Sequence, residues 1–181
     1  EEEYKGLSNA LGRLSEAKIY IDDTPGISPL AIRAKCRRLQ AETDISLIIV
    51  DYLQLMRSGR KRIESRFQEV SEIVRDIKSV AKELNIPIMA LSQLSRDVEK
   101  RGGDIPKLSD LRESGEIEQT ADLVVFIHRE DYYEQSNVSL SPTKIVIAKQ
   151  RNGPTGSVDL VFRKDISRFE QSESHEPVKV Q

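Results

Sequence analysis

Apolar positions along this chain fall into two kinds of run: some step by threes and fours, others are short and continuous. The first segment, to about Lys18, is polar and of the stepping kind, with Leu7, Leu11 and Leu14 four and three apart, and it is compatible with a helix. Lys18-Ile19-Tyr20-Ile21 predicts a short strand, and Asp22-Asp23-Thr24-Pro25-Gly26 a turn. Ser28 with Pro29 is a helix start, because the hydroxyl can accept from the first turn and a proline at the first helical position loses no hydrogen bond. That helix carries Leu30, Ala31, Ala34 and Leu39, with Arg33, Lys35, Arg37 and Arg38 on its outer face. Leu47-Ile48-Ile49-Val50-Asp51 is continuous and ends in an acid, the form of a strand buried on both faces of a parallel sheet. A basic loop, Arg57 to Arg62, precedes a helix from about Glu64 to Leu84. In that helix Ile63, Phe67, Val70, Ile73 or Val74, Ile77, Val80 or Ala81, and Leu84 form one core-facing stripe. Asn85 ends it and Pro87 blocks continuation.

Ile88-Met89-Ala90-Leu91 is the next strand and leads into Ser92-Gln93, then a polar stretch with Gly102-Gly103. A short helix around Glu116 to Ala121 precedes a strand from Leu123 to His128. Beyond a polar tip, Tyr132 to Ser141, come a strand Lys144 to Lys149, a turn Arg151-Asn152-Gly153-Pro154-Thr155-Gly156, and a strand Ser157 to Phe162. Residues 1–169 read as one unit and 170–181 as a polar, disordered tail. Strands alternating with helices argue for an α/β fold, a mostly parallel sheet flanked by helices, with an antiparallel hairpin at its C-terminal edge. Ligands of such sheets lie beyond the carboxyl ends of the strands, which selects Asp51, Ser92-Gln93 and Arg129.

Composition narrows the classes. The chain has 181 residues with 28 basic and 30 acidic side chains, a net charge of 28 − 30 = −2, and 38% apolar against 32% charged residues. This length suits one domain. The balance excludes a bulk polycation but leaves room for a local phosphate-contacting loop. Cys36 is the single cysteine, which excludes an intrachain disulfide framework and a cysteine-built zinc site and suits a reduced, cytoplasmic compartment. The longest apolar run, Leu123 to Ile127, falls far short of the ~20 residues of a membrane span, and no signal-peptide pattern is present.

Asp51, at a strand exit, has the placement of an acid that holds Mg²⁺ through water beside nucleotide phosphates; the bland alternative is a loop cap. Gln93 at the adjacent exit has an amide able to sense a γ-phosphate or orient a water, or merely to bond backbone. In Asp110-Leu111-Arg112-Glu113-Ser114-Gly115-Glu116, Arg112 offers a phosphate-binding fork and Gly115 a close backbone approach, against the reading of a polar loop with a helix cap. Lys149 and Arg151 flank Gln150 just before a tight turn, away from the chain's own strand exits, a placement suited to a neighbouring subunit's phosphates or to an ordinary solvated hairpin. Arg57, Arg60, Lys61, Arg62 and Arg66 suit nucleic-acid phosphates, though a charge run is more often a solvated face. His128 follows an apolar strand and reads as structural.

Four stretches in order resemble the C-terminal ATPase domain of DnaB-family replicative DNA helicases, which has a RecA-like fold. Leu47 to Met56 resembles the Walker B strand, and Ala90 to Arg96 the family's third motif. Ser109 to Gln119, continuing into Ala121-Asp122, resembles the fourth, and Ile147 to Pro154 the hairpin with the arginine finger. Lys18 to Asp23 and the Ser28–Gln40 helix are also family-like, so the likeness spans roughly residues 15 to 165. The resemblance implies ATP and Mg²⁺ as cofactors, with Asp51 as the Mg²⁺-linked acid, acting through water. Gln93 becomes the γ-phosphate sensor, and Lys149 and Arg151 the cations entering the adjacent subunit's ATP site. Arg112, Glu113 and Gly115 line the DNA-facing channel. It further implies a homo-hexamer moving on single-stranded DNA, primase and a helicase loader as partners, no membrane, and a cytoplasmic location at the nucleoid or replication fork.

The P-loop pattern Gly-x-x-x-x-Gly-Lys-[Ser/Thr] is absent, and the chain holds no Gly-Lys pair. The family's catalytic glutamate also lies upstream of the matched region. The chain opens Glu1-Glu2-Glu3 without Met, and the expectation is a C-terminal portion of a longer helicase, with the N-terminal part of the fold missing and no ATPase activity alone. The alternatives are a non-catalytic RecA-like binding or assembly module and another RecA-like hexameric ATPase.

Overall fold

A computed structural model of the chain describes residues 2–60, 65–95, 97–101, 104–111, 115–129, 131 and 139–172. Helix α1 spans Glu2–Glu16, and its Leu7, Leu11 and Leu14 are exposed. Lys18 to Ile21, expected as a strand, is irregular. Its apolar residues are exposed, and no described strand pairs with it; a strand is held by its ladder, so local pattern alone does not make one. Helix α2, Pro29–Gln40, begins as the sequence implies, with the Ser28 hydroxyl accepting from the Ala31 N–H at 3.3 Å. It buries Pro29 and Ile32, whereas Leu30, expected on the apolar face, is exposed.

Strand β1, Ile48–Val50, pairs in parallel with β2, Ile88–Ala90, so that Val50 stands opposite Ala90. Pairing continues past the strand ends, with the Leu91 N–H donating to Val50 O at 2.9 Å and the Leu53 N–H to Leu91 O at 3.0 Å. Helix α3, Arg66–Leu84, joins them. The Ser65 hydroxyl accepts from the Gln68 N–H at its start, and Asn85 closes it in the left-handed region at φ 54°. Val70, Ile73, Val74, Ile77, Val80 and Leu84 are buried, while Phe67 at the stripe's edge is half exposed and Ile63 lies outside the described residues.

Short helices α4, Asp97–Lys100, and α5, Gly115–Thr120, follow. Strands β3 (Leu123–Arg129), β4 (Leu140–Gln150), β5 (Gly156–Arg163) and β6 (Arg168–Gln171) form an antiparallel sheet in that order. The fold is α/β, as expected, but the parallel part among the described residues is the β1–β2 pair alone and the antiparallel part is larger than a hairpin. Glu170 and Gln171, assigned above to a disordered tail, sit in β6, where Gln171 stands opposite Leu160.

The core is one cluster in which α3 meets Ile32, Val50, Met56, Ile117, Val124 and Phe126. It covers one face of the strands. Val50, Val124, Phe126 and His128 point into the buried side, whereas Ile49, Met89, Val125 and Ile127 are exposed, Ile49 to 60% and Ile127 to 59%. The continuous apolar runs, read as strands buried on both faces, are thus covered on one.

Candidate functional site

The parallel pair brings Asp51 and Gln93 to one end of the molecule. Asp51 follows the last residue of β1 and is exposed, and its peptide bond to Tyr52 is cis. Gln93 lies three residues beyond Ala90 and is exposed. Gln54 ties the two exits together: its Oε1 accepts from the Gln93 N–H at 3.3 Å and its Nε2 donates to Ser92 Oγ at 3.1 Å. Sequence reasoning gave Gln54 no role, although its place in the Leu47–Met56 stretch was the available signal. Asp51 also lines a cleft of about 940 Å³ between residues 18–27, α2 and β1. In the same cleft Asp22 pairs with Lys35 at 2.6 Å and accepts from the Thr24 hydroxyl at 2.6 Å. Lys35 first, and Thr24 after it, hold the Asp22 carboxyl at about 2.

No group of three or more His, Cys, Asp or Glu residues gathers among the described residues. A lone exposed carboxylate such as Asp51 suits a water-mediated contact to a cation held chiefly by phosphates, not a metal cage built by protein.

The basic loop is answered from within the chain. Arg66 donates to Gln54 O at 2.7 Å and Met56 O at 3.3 Å, and pairs with Glu69. Arg57 lies 3.6 Å from Glu69, and Arg60 lies 3.3 Å from Glu72. Burial alone raises the Glu69 carboxyl, but Arg66, the Ser58 N–H at 3.2 Å and Arg57 outweigh it and leave it below the ordinary range. Arg57, Arg60 and Arg66 thus make ion pairs within the chain, and Arg66 bonds backbone carbonyls as well; Lys61 and Arg62 lie outside the described residues.

Lys149 and Arg151 stand elsewhere, at the end of β4 beside the last turn of α5. Lys149 Nζ donates to Glu118 O and, at 3.2 Å, to Gln119 O. Arg151 donates to Gln119 O at 3.4 Å and lies 3.2 Å from Asp122, which also holds Lys78 of α3. Arg66 marks the Asp51–Gln93 end of α3, and Lys78 is twelve residues further along, a rise of about 18 Å. The chain thus keeps its strand-exit residues and its hairpin cations apart.

Gly115 is the first residue of α5, and a Cβ there meets open space, so the local backbone does not itself require glycine. Arg112 and Glu113 lie outside the described residues. His128 is buried, in keeping with a structural role. Arg129 is bound into the sheet end, donating to Ser141 Oγ at 3.0 Å and stacking 4.8 Å over the Phe162 ring. No helix among the described residues is long and apolar enough to cross a membrane.

Comparison with known proteins gives a consistent result. The family model described as DnaB-like helicase C terminal domain matches residues 1–171. Replicative DNA helicase DnaC of Bacillus subtilis is 52% identical over 169 residues, 93% of this chain and 37% of the relative. Replicative DNA helicase DnaB of Geobacillus stearothermophilus is 52% identical over 168 residues, again 93% and 37%. The chain therefore spans somewhat over a third of the length of these relatives. Among solved structures, an ATPase domain superposes with TM-score 0.87 at 40% identity, over 96% of this chain and 61% of that one. A DnaB-like replicative helicase, described with its interactions with primase, superposes with TM-score 0.86 at 40% identity, over 96% and 42%. With the RecA-like neighbours, the ordered motifs and the family match over residues 1–171 in agreement, the chain belongs to the DnaB-like helicase C-terminal domain family.

Proposed function

We propose that this chain is the C-terminal part of a replicative helicase ATPase domain and contributes to two ATP sites, one at each side of a subunit. The observation that carries this reading is the separation of Asp51 and Gln93 from Lys149 and Arg151 along α3. A single-chain phosphate site needs those groups together, whereas a ring of identical subunits brings the hairpin of one against the strand exits of the next. On the near side Asp51 would hold Mg²⁺ through water beside the phosphates of ATP, and the Gln93 amide would meet the γ-phosphate. Gln54 carries that contact between the two exit loops. On the far side Lys149 and Arg151 balance the charge that develops on the neighbour's transferring phosphate. Arg112, Glu113 and Gly115 face single-stranded DNA in the central channel of a homo-hexamer. Primase and a loader are the partners to test, and the replication fork in the cytoplasm is the place of action.

The phosphate cradle and catalytic glutamate lie outside the matched stretches, so the chain alone is inactive. The test measures Mg²⁺-ATP hydrolysis, with and without single-stranded DNA, for this chain beside a protein extended to the length of its relatives. Activity is expected in the extended protein only, raised by DNA, and cut by about 10³-fold or more in Arg151→Ala. Hydrolysis by this chain alone overturns the reading, and silence in both favours a non-catalytic assembly module.

A further inference from the structure

Asp122 lies between two cations of different standing. Lys78 of α3 reaches it from a side chain that is 24% exposed, while Arg151 reaches it at 3.2 Å from a half-exposed one. The Arg151 N–H also donates to Asp122 O at 2.8 Å, which fixes the hairpin base against this residue. Beside it, Gln119 O accepts from both Lys149, at 3.2 Å, and Arg151, at 3.4 Å, and Glu118 O accepts from Lys149. These carbonyls end α5, where helix geometry leaves acceptors without partners and favours positive charge. Lys78 first, with Arg151 and Lys149 adding to it, keeps the Asp122 carboxyl below the ordinary range, so it is an anion at neutral pH.

We propose that Asp122 is a positioning residue that parks Arg151 on its own subunit, beside Lys149, which the Glu118 and Gln119 carbonyls hold. Reaching a neighbour's phosphate then requires breaking contacts within the chain. The less exposed Lys78 holds the carboxylate in place, so the exchange falls on Arg151. An ion pair this exposed is weak, which makes it releasable and lets it bias a population rather than lock it. The inference rests on the trans role proposed above for Lys149 and Arg151.

The test uses the extended, assembling protein and measures ATP hydrolysis without DNA. Asp122→Asn is expected to raise kcat roughly two- to fivefold, the range that a weak exposed pair supports, with KM for ATP unchanged. Asp122→Glu restores the parental rate. A residue that only supports the fold gives no such gain. Arg151→Ala in the same assay separates the two claims. If it leaves kcat unchanged, the trans role itself fails. If it abolishes hydrolysis while Asp122→Asn is parental or slower, parking is overturned and the trans role stands. Where circular dichroism shows Asp122→Asn unfolded, Lys78→Gln takes its place. Without the lysine that anchors it, the Asp122 carboxylate no longer stays at Arg151, and kcat rises by a similar factor; an unchanged or lower rate overturns the proposal.

Discussion

Asp22 and Asp51 sit on the same cleft and differ in what surrounds them. Asp51 stands exposed at a strand exit, whereas Asp22 is gripped by Lys35 Nζ, the Thr24 hydroxyl and, at 3.1 Å, the Thr24 N–H. Each partner favours the charged form, and Lys35 contributes most. A folded-state value of about 2 lies below the ~3.9 of an unperturbed aspartate. Whatever Asp22 adds to stability is therefore present in full above that ordinary value and is lost as the pH falls through about 2. A carbon-13 titration of the Asp22 carboxyl should give a midpoint near 2. In Lys35→Met the midpoint should move back up, because the largest cause is gone. A midpoint that does not move on that substitution means that Thr24, not Lys35, sets the value.

Helix α3 shows which parts of the fold are written locally. Its left-handed end at Asn85 and its stripe from Val70 to Leu84 follow from capping and a 3.6-residue period, so they were readable from the residues; the helix expected from about Glu64 is described from Arg66, with Ser65 as a cap the sequence reading did not single out. Elements that depend on a distant partner were not. Lys18 to Ile21 has strand composition but no described neighbour, and Glu170-Gln171 has tail composition but pairs with β5. Leu30 suits an apolar face by type, yet α2 turns Ile32 inward instead. The candidate site divides in the same way. Asp51 and Gln93 were placed by the rule of strand exits, but the Lys78–Asp122 contact joins residues 44 apart and no local spacing announces it. Because α3 is the element on which α2, β1, α5 and β3 converge, its buried stripe carries the core. Ile73→Ala, at a fully buried position, should destabilise by about 2–5 kcal/mol in urea unfolding. Phe67→Ala, at a half-exposed position, should cost less than Ile73→Ala; equal costs would mean that the stripe is not what holds α3.

At the scale of the whole molecule, the bare face of the strands and the split site point the same way. Ile49, Met89, Val125 and Ile127 present apolar surface that α2, α3 and α5 do not cover, and the chain spans 37% of the curated relatives' length. Such a face is costly in water, and under the function proposed above it seats the rest of an ATPase domain. The proposed function puts Asp51 and Arg151 at different sides of one subunit, and a mixing experiment decides it. Take two extended proteins, one carrying Asp51→Asn and the other Arg151→Ala, each inactive when it assembles alone. In a one-to-one co-expressed mixture an interface is intact only where an Arg151→Ala subunit supplies Asp51 and an Asp51→Asn subunit supplies the arginine. With random, independent placement that occurs at roughly one quarter of the interfaces, since two conditions of one half each must hold at a head-to-tail contact. Hydrolysis should therefore return to roughly a quarter of the parental rate, although neither parent has any, because the contact is directional and each subunit still offers one good side. A mixture as inactive as its parents would assign both residues to a site within one subunit and end the inter-subunit reading.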